Sequence, residues 1–139
     1  MAARIESKGR SRALQALYAW DMRKDDELGR VSQLIWDDLD VAPEEREFAG
    51  KLLRIILASG AALDAELAEV TTNWRIERLG AIERCLLRLG AAELEQGLTP
   101  PRVVIQECVR LGERYGSATS ARFVNGVLDA LARRMGRLD

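Results

Sequence analysis

The residues best suited to chemistry lie in one short segment near the end of the chain, from Arg122 to Asp129. There, Arg122, Phe123 and Asn125 combine a cation, an aromatic ring and a side-chain amide. Recognition of unpaired RNA uses these three groups, because cations neutralise phosphates, aromatic rings stack on bases and amides bind base edges. The alternative is that Phe123 belongs to the core and Arg122 is merely solvated. The segment is therefore a candidate RNA contact that has to be weighed against packing.

Asn125 and Gly126 form a dipeptide that usually signals a hairpin when it lies between apolar residues. Here the apolar residues recur at helical spacing instead, as Phe123, Val124, Val127, Leu128 and Leu131. We therefore expect a helix, in which glycine costs roughly 1 kcal/mol relative to alanine. Either Gly126 lets another backbone approach while Asn125 binds something other than water, or Gly126 is a helix-packing glycine beside a solvated amide.

A second cluster of candidate binding residues lies at the N-terminus and consists of Arg4, Lys8, Arg10 and Arg12. Only Glu6 opposes these cations before residue 15, whereas residues 15–50 are acidic and residues 121–139 are basic again. The net charge of −1 carries no information about nucleic acid. A local basic patch can nevertheless bind phosphate in a neutral chain, so both ends are candidates.

Catalytic chemistry finds little support in the sequence. The chain has no histidine, which removes the commonest general base and the commonest transition-metal ligand. Cys85 and Cys108 lie among apolar residues at helical spacing, which is typical of buried structural thiols. Glu83 and Glu93 are ten residues apart, which is not the spacing of a metal-binding pair. We predict a non-enzymatic protein with no catalytic residue, metal or cofactor.

The composition predicts an all-α fold. The 139 residues suggest one domain, in which strong helix formers dominate and β-branched residues are sparse. No apolar run reaches the length of a membrane span, and the N-terminus lacks the pattern of a secretory signal, so we expect a soluble, cytoplasmic protein. The apolar periodicity predicts about seven helices, with a break or kink at Ser59-Gly60 and a loop at residues 71–73 that divides one domain, 1–139, into sub-bundles at about 1–72 and 73–139.

Four segments of the chain resemble the NusB family of bacterial transcription antitermination factors. Residues 11–20 and the basic cluster before them resemble the family's opening helix and its arginine-rich start. Residues 79–94 look like its central helix, and residues 101–109 like the start of the next helix. Residues 122–129 resemble its most specific signature. The four segments occur in order, and the resemblance covers nearly the whole chain in register, so the chain is identified as a member of this family.

The resemblance implies two packed three-helix sub-bundles and a non-enzymatic function. NusB-like proteins bind boxA RNA together with NusE, a ribosomal protein, and join an antitermination complex on RNA polymerase, notably on ribosomal RNA operons. Carried over by position, Lys8 and Arg10 match the family's basic cluster, with Arg12 an addition, and Phe123 and Asn125 match the signature near the RNA site. Together with Arg4 and Arg122, these are the predicted RNA-binding residues, and Tyr18 and Glu83 match positions assigned to the NusE face. The basic cluster is thinner than the family's, and the loop before the signature lacks its acidic residues. Whether the chain forms a homodimer stays open.

Two other functions remain as alternatives to antitermination. The same fold occurs as the RNA-binding N-terminal region of ribosomal RNA cytosine methyltransferases. Such an enzyme needs a downstream catalytic domain, which this sequence lacks before its last residue, Asp139. The second alternative is a helical adaptor that binds only proteins.

Overall fold

The computed structural model describes residues 2–23, 26–71 and 79–139, and in these ranges every regular element is an α-helix. The prediction of an all-α fold is therefore confirmed, with six described helices where the sequence predicted about seven. The helices are α1 (Ala2–Met22), α2 (Leu28–Asp38), α3 (Pro43–Val70), α4 (Ala81–Gln96), α5 (Pro101–Tyr115) and α6 (Ala118–Arg134).

The difference in helix number arises in α3, which continues through Ser59-Gly60, where the sequence predicted a break or kink. The buried residues Leu52, Ile56, Leu63 and Leu67 form one stripe at spacings of four and seven on both sides of the glycine. A glycine in a helix costs only about 1 kcal/mol. Burial of this continuous stripe outweighs that cost, so the helix does not end there.

The ends of the C-terminal helices follow the capping residues of the sequence closely. Gly97 ends α4 in the left-handed conformation, with φ of 73°, as expected for a glycine at this position. Pro101 begins α5 directly after Pro100, which occupies the N-cap position. Ser117 caps α6, because its side-chain oxygen accepts a hydrogen bond from the Ser120 N–H at 3.0 Å.

The chain divides into two compact units, Met1–Arg54 and Ile55–Asp139, so the division falls inside α3. The predicted boundary at residues 71–73 was a loop, of which residues 72 and 73 lie outside the described ranges. The boundary moves because the second half of α3 is tied to later helices: Arg88 donates two hydrogen bonds to Asp64 at 2.9 and 3.0 Å. That residues 1–139 form a single domain stays a prediction.

Each unit has its own apolar core. In unit 1, the fully buried side chains come from α1, α2 and the first half of α3, and include Leu14, Leu17, Val31 and Leu52. In unit 2 they come from α4, α5 and α6 and include Leu86, Leu94, Leu111, Val124 and Leu128. Cys85 and Cys108 are buried, as predicted for structural thiols. No helix in the described ranges is long and apolar enough to cross a membrane.

Candidate nucleic-acid interface

The N-terminal cluster of cations separates into exposed and interior residues. Arg4 and Lys8 are exposed and lie one helical turn apart on α1, so they share a face. Neither forms an ion pair or hydrogen bond with another described residue. These two side chains are therefore available to bind phosphate from one side of α1.

Arg10 occupies a different position, because only 2% of its surface is exposed. Its guanidinium lies over the ring of Phe48, 5.1 Å from the ring centroid, which is the geometry of a cation–π contact. Gly9 makes room for this ring, since a Cβ at residue 9 would lie 2.7 Å from the Phe48 Cδ1 atom. The structure therefore places the charge of Arg10 inside unit 1, which does not favour the predicted contact of Arg10 with RNA.

Arg12 is also engaged within unit 1. Its guanidinium pairs with Glu45 at 3.3 Å and donates a hydrogen bond to Gln15 at 3.3 Å. Its backbone oxygen accepts a hydrogen bond from the Trp36 indole N–H at 3.1 Å. A contact from Arg12 to phosphate would have to compete with Glu45, whereas Arg4 and Lys8 have no such competitor within the described ranges.

The exposed face of α6 carries the C-terminal candidates. Val124, Leu128 and Leu131 point into the core of unit 2, whereas Arg122, Asn125 and Gly126 are exposed and Phe123 is half-buried. Successive helix residues are rotated by about 100°, so Phe123 and Asn125, two positions apart, cannot point the same way. They border opposite sides of this face, with Arg122 and Gly126 between them. The sequence reasoning grouped their side chains at one contact and missed this separation.

Gly126 has open space above it. No described atom lies within 4 Å of the position that a Cβ would occupy. The interpretation as a helix-packing glycine is therefore wrong, because no other helix of the described chain approaches it. An exposed glycine in the middle of a 17-residue helix lowers the stability of that helix. The open space is available to a molecule outside the chain.

The other C-terminal arginines are bound within unit 2. Arg133 donates a hydrogen bond to Asp129 at 2.9 Å, and this carboxylate raises the pKa of Arg133. Arg134 pairs with Glu66 at 3.4 Å, and Arg137 donates to the backbone oxygen of Glu95 at 3.2 Å. Among the described arginines between residues 122 and 137, Arg122 is the one whose side chain forms neither an ion pair nor a hydrogen bond within the described ranges.

The two candidates for partner binding lie in different units. Tyr18 is on α1 in unit 1 and is 40% exposed, so its ring and hydroxyl are accessible. Glu83 is half-buried in the first turn of α4 in unit 2, with its carboxylate turned back toward Gly80. An acidic side chain there is stabilised by the positive end of the helix dipole, so Glu83 has a structural role in addition to any partner contact.

Two residues of α5 lie beside Asn125 on the surface of unit 2 and were not candidates from the sequence. Arg102 and Gln106 line a groove between α5 and α6 together with Asn125. Their one-turn spacing on an amphipathic helix is visible in the sequence, but it marks only a solvated face. Only the packing of α5 against α6 reveals that Gln106 lies next to the signature segment.

The helical architecture and the exposed cationic faces define an all-α protein of the binding class. The family model for the NusB family matches residues 7–133, and the chain belongs to that family. It is 41% identical over 134 residues to the transcription antitermination protein NusB of Sorangium cellulosum, covering 96% of this chain and 95% of the relative. It is also 41% identical over 132 residues to the NusB of Anaeromyxobacter dehalogenans, covering 91% and 89% of the two chains.

Solved structures are similar to this fold over nearly its whole length. A crystal structure of the antitermination factors NusB and NusE in complex with dsRNA matches with a TM-score of 0.87 and 29% identity, covering 94% of this chain and 98% of that one. The structure of T. maritima NusB matches with a TM-score of 0.86 and 29% identity, covering 92% and 90%. The predicted family and its non-enzymatic, antitermination class are thereby confirmed.

Proposed function

We propose that this chain is a transcription antitermination factor that binds boxA-type RNA together with NusE and helps assemble an antitermination complex on RNA polymerase, notably on ribosomal RNA operons. It would act in the cytoplasm, where the transcript is made. Membership of the NusB family supports this proposal, as does the similarity to a NusB that was crystallised with NusE and dsRNA. The relatives are antitermination proteins that the chain covers almost end to end, which favours this function over that of a methyltransferase region.

The single observation that carries the proposal at the level of residues is the exposed face of α6. Arg122 supplies a phosphate ligand, Phe123 an aromatic edge and Gly126 an uncovered stretch of backbone between them. Arg4 and Lys8 add two cations on α1 that are unpaired within the described ranges. Tyr18 and Glu83 are proposed for the NusE contact. We assign Arg10 and Arg12 to the support of α1, since both are bound inside unit 1.

The proposed role of α1 predicts a change in the salt dependence of RNA binding. Replacing both Arg4 and Lys8 by alanine should weaken binding to boxA and to scrambled RNA equally, because phosphate contacts are independent of sequence. Each lost contact should reduce the slope of log affinity against log salt by about 0.7 for single-stranded RNA. Fluorescence anisotropy at several salt concentrations, made on the monomer, measures both quantities. Isolating the monomer matters because a homodimer that covered the RNA surface would also lower affinity.

The matched control is the double variant with Arg30→Ala and Arg54→Ala. It removes the same charge from exposed positions of α2 and α3. We expect its salt slope to stay near that of the unaltered protein. Equal slopes for the two double variants would count against a phosphate site on α1.

A pull-down with purified NusE separates antitermination from a protein-only adaptor. The antitermination proposal predicts that boxA RNA increases the amount of NusE retained by the protein. Retention that is independent of RNA, together with no measurable RNA binding, would favour the adaptor.

A further inference from the structure

The surface beside Asn125 contains a small groove between α5 and α6. Its volume is about 260 Å³, and it lies entirely within unit 2. It is lined by Arg102, Ile105, Gln106, Val109, Asn125 and Asp129. Pockets that hold drug-sized ligands have volumes of roughly 300–1,000 Å³, so this groove suits a single ring system rather than a whole nucleotide.

The polar groups of the groove are largely unused by the chain itself. The amides of Gln106 and Asn125 are exposed, and neither hydrogen-bonds to any described residue. The guanidinium of Arg102 is likewise exposed and unpaired within the described ranges. Asp129 is held in place by Arg133 at 2.9 Å. The groove thus offers two amides, one cation and one fixed carboxylate to a ligand.

A larger groove in the same unit shows the contrast. It has a volume of about 540 Å³ and is lined by Arg134 and Arg137, among others. Arg134 is paired with Glu66, and Arg137 is bonded to the Glu95 backbone. Its cations are therefore already satisfied by the protein. The groove between α5 and α6 is the better candidate for an external ligand.

The chemistry of the smaller groove matches a nucleobase. A side-chain amide offers one donor and one acceptor side by side, which fits the N6 and N7 groups of adenine. A carboxylate such as that of Asp129 accepts from an exocyclic amine but repels a phosphate. Ile105 and Val109 provide an apolar wall for the face of the ring, and Arg102 is a cation for the adjoining phosphate.

We propose that the groove between α5 and α6 is a subsite for one unpaired adenine of a single RNA strand, whose base edge is bound by Asn125 and Gln106. This inference rests on the proposed function and adds a base-reading site to it. Because Phe123 borders the opposite side of the exposed face, the strand crosses α6 at Gly126. One base then enters the groove and a neighbouring base lies against Phe123.

A combined RNA and protein substitution experiment tests the subsite. Each nucleotide of a boxA RNA is replaced in turn by an abasic residue, and affinity is measured for the unaltered protein and for the Asn125→Ala and Gln106→Ala variants. At one adenine position we expect the abasic RNA to bind the unaltered protein roughly three- to tenfold more weakly. The Asn125→Ala variant should bind this abasic RNA almost as tightly as it binds intact boxA RNA, because the variant has already lost the hydrogen bond to the base. Purine riboside at the same position, which lacks only the 6-amino group, should reproduce most of the loss.

Gln33→Ala is the matched control, since it removes an exposed amide from α2. At every position, the abasic substitution should weaken RNA binding by Gln33→Ala as much as it weakens binding by the unaltered protein. Independent effects of protein and RNA substitutions at all positions would overturn the subsite, and coupling at a pyrimidine or guanine would overturn its assignment to adenine. Failure of the proposed function would give a different result, because the unaltered protein would then bind neither boxA RNA nor any of its abasic forms.

Discussion

Replacing Arg10 by alanine is expected to lower the free energy of unfolding by about 3 kcal/mol, within the range for large side chains removed from a core. Arg10 is 2% exposed, and its guanidinium lies 5.1 Å from the Phe48 ring centroid. Alanine would leave a cavity on that ring and would remove the interactions of a buried charge, both of which destabilise. Chemical denaturation followed by circular dichroism measures the change.

Lys8→Ala provides the matched comparison, because Lys8 is a cation of the same helix that is exposed. Its effect on unfolding should stay within about 0.5 kcal/mol, as for most surface substitutions. Arg10→Lys keeps the charge but not the planar group, so an intermediate loss is expected. Under conditions in which it is folded, Arg10→Ala should keep the salt slope of RNA binding, whereas Lys8→Ala should reduce it. A salt slope reduced by Arg10→Ala would show that Arg10 is a phosphate ligand.

The contrast between Arg10 and Lys8 shows why residue type alone could not divide the N-terminal cluster. Both are cations on the first helix, and the sequence gives no reason to bury one of them. The difference comes from Phe48, which is distant in the sequence and reaches α1 only through the packing of α3 in unit 1. Helical periodicity predicts which residues of one helix share a face. It does not predict which residue of another helix will cover that face.

The signature segment was easier to predict. Its apolar spacing indicated a helix despite Asn125-Gly126, and α6 is that helix. Residues two positions apart on a helix point in different directions, so the separation of Phe123 from Asn125 was also accessible from the sequence. The groove was not, because Gln106 reaches Asn125 only through the packing of α5 on α6. The spacing of apolar residues was sufficient to predict the helix, whereas the shape of the site depends on tertiary contacts.

Gly126→Ala is expected to raise the free energy of unfolding and to weaken RNA binding at the same time. Alanine is the better helix former by up to about 1 kcal/mol, and no described atom lies within 4 Å of the new methyl group. The gain in stability should therefore be realised almost fully. If an RNA strand crosses α6 at this residue, the methyl group would displace it, and we expect about tenfold weaker binding, equivalent to about 1.4 kcal/mol. Denaturation and anisotropy measure the two effects separately.

Gly60→Ala is the control for the expected combination of higher stability and weaker RNA binding. Gly60 also lies inside a helix, α3, and likewise has no described atom within 4 Å of its Cβ position. The substitution should stabilise the protein by a similar amount and leave RNA binding unchanged. Stabilisation by Gly126→Ala with unchanged RNA affinity would place the strand elsewhere on the protein. If Gly126→Ala raises stability and lowers RNA affinity, whereas Gly60→Ala raises stability alone, then Gly126 reduces helix stability and leaves room for an external backbone.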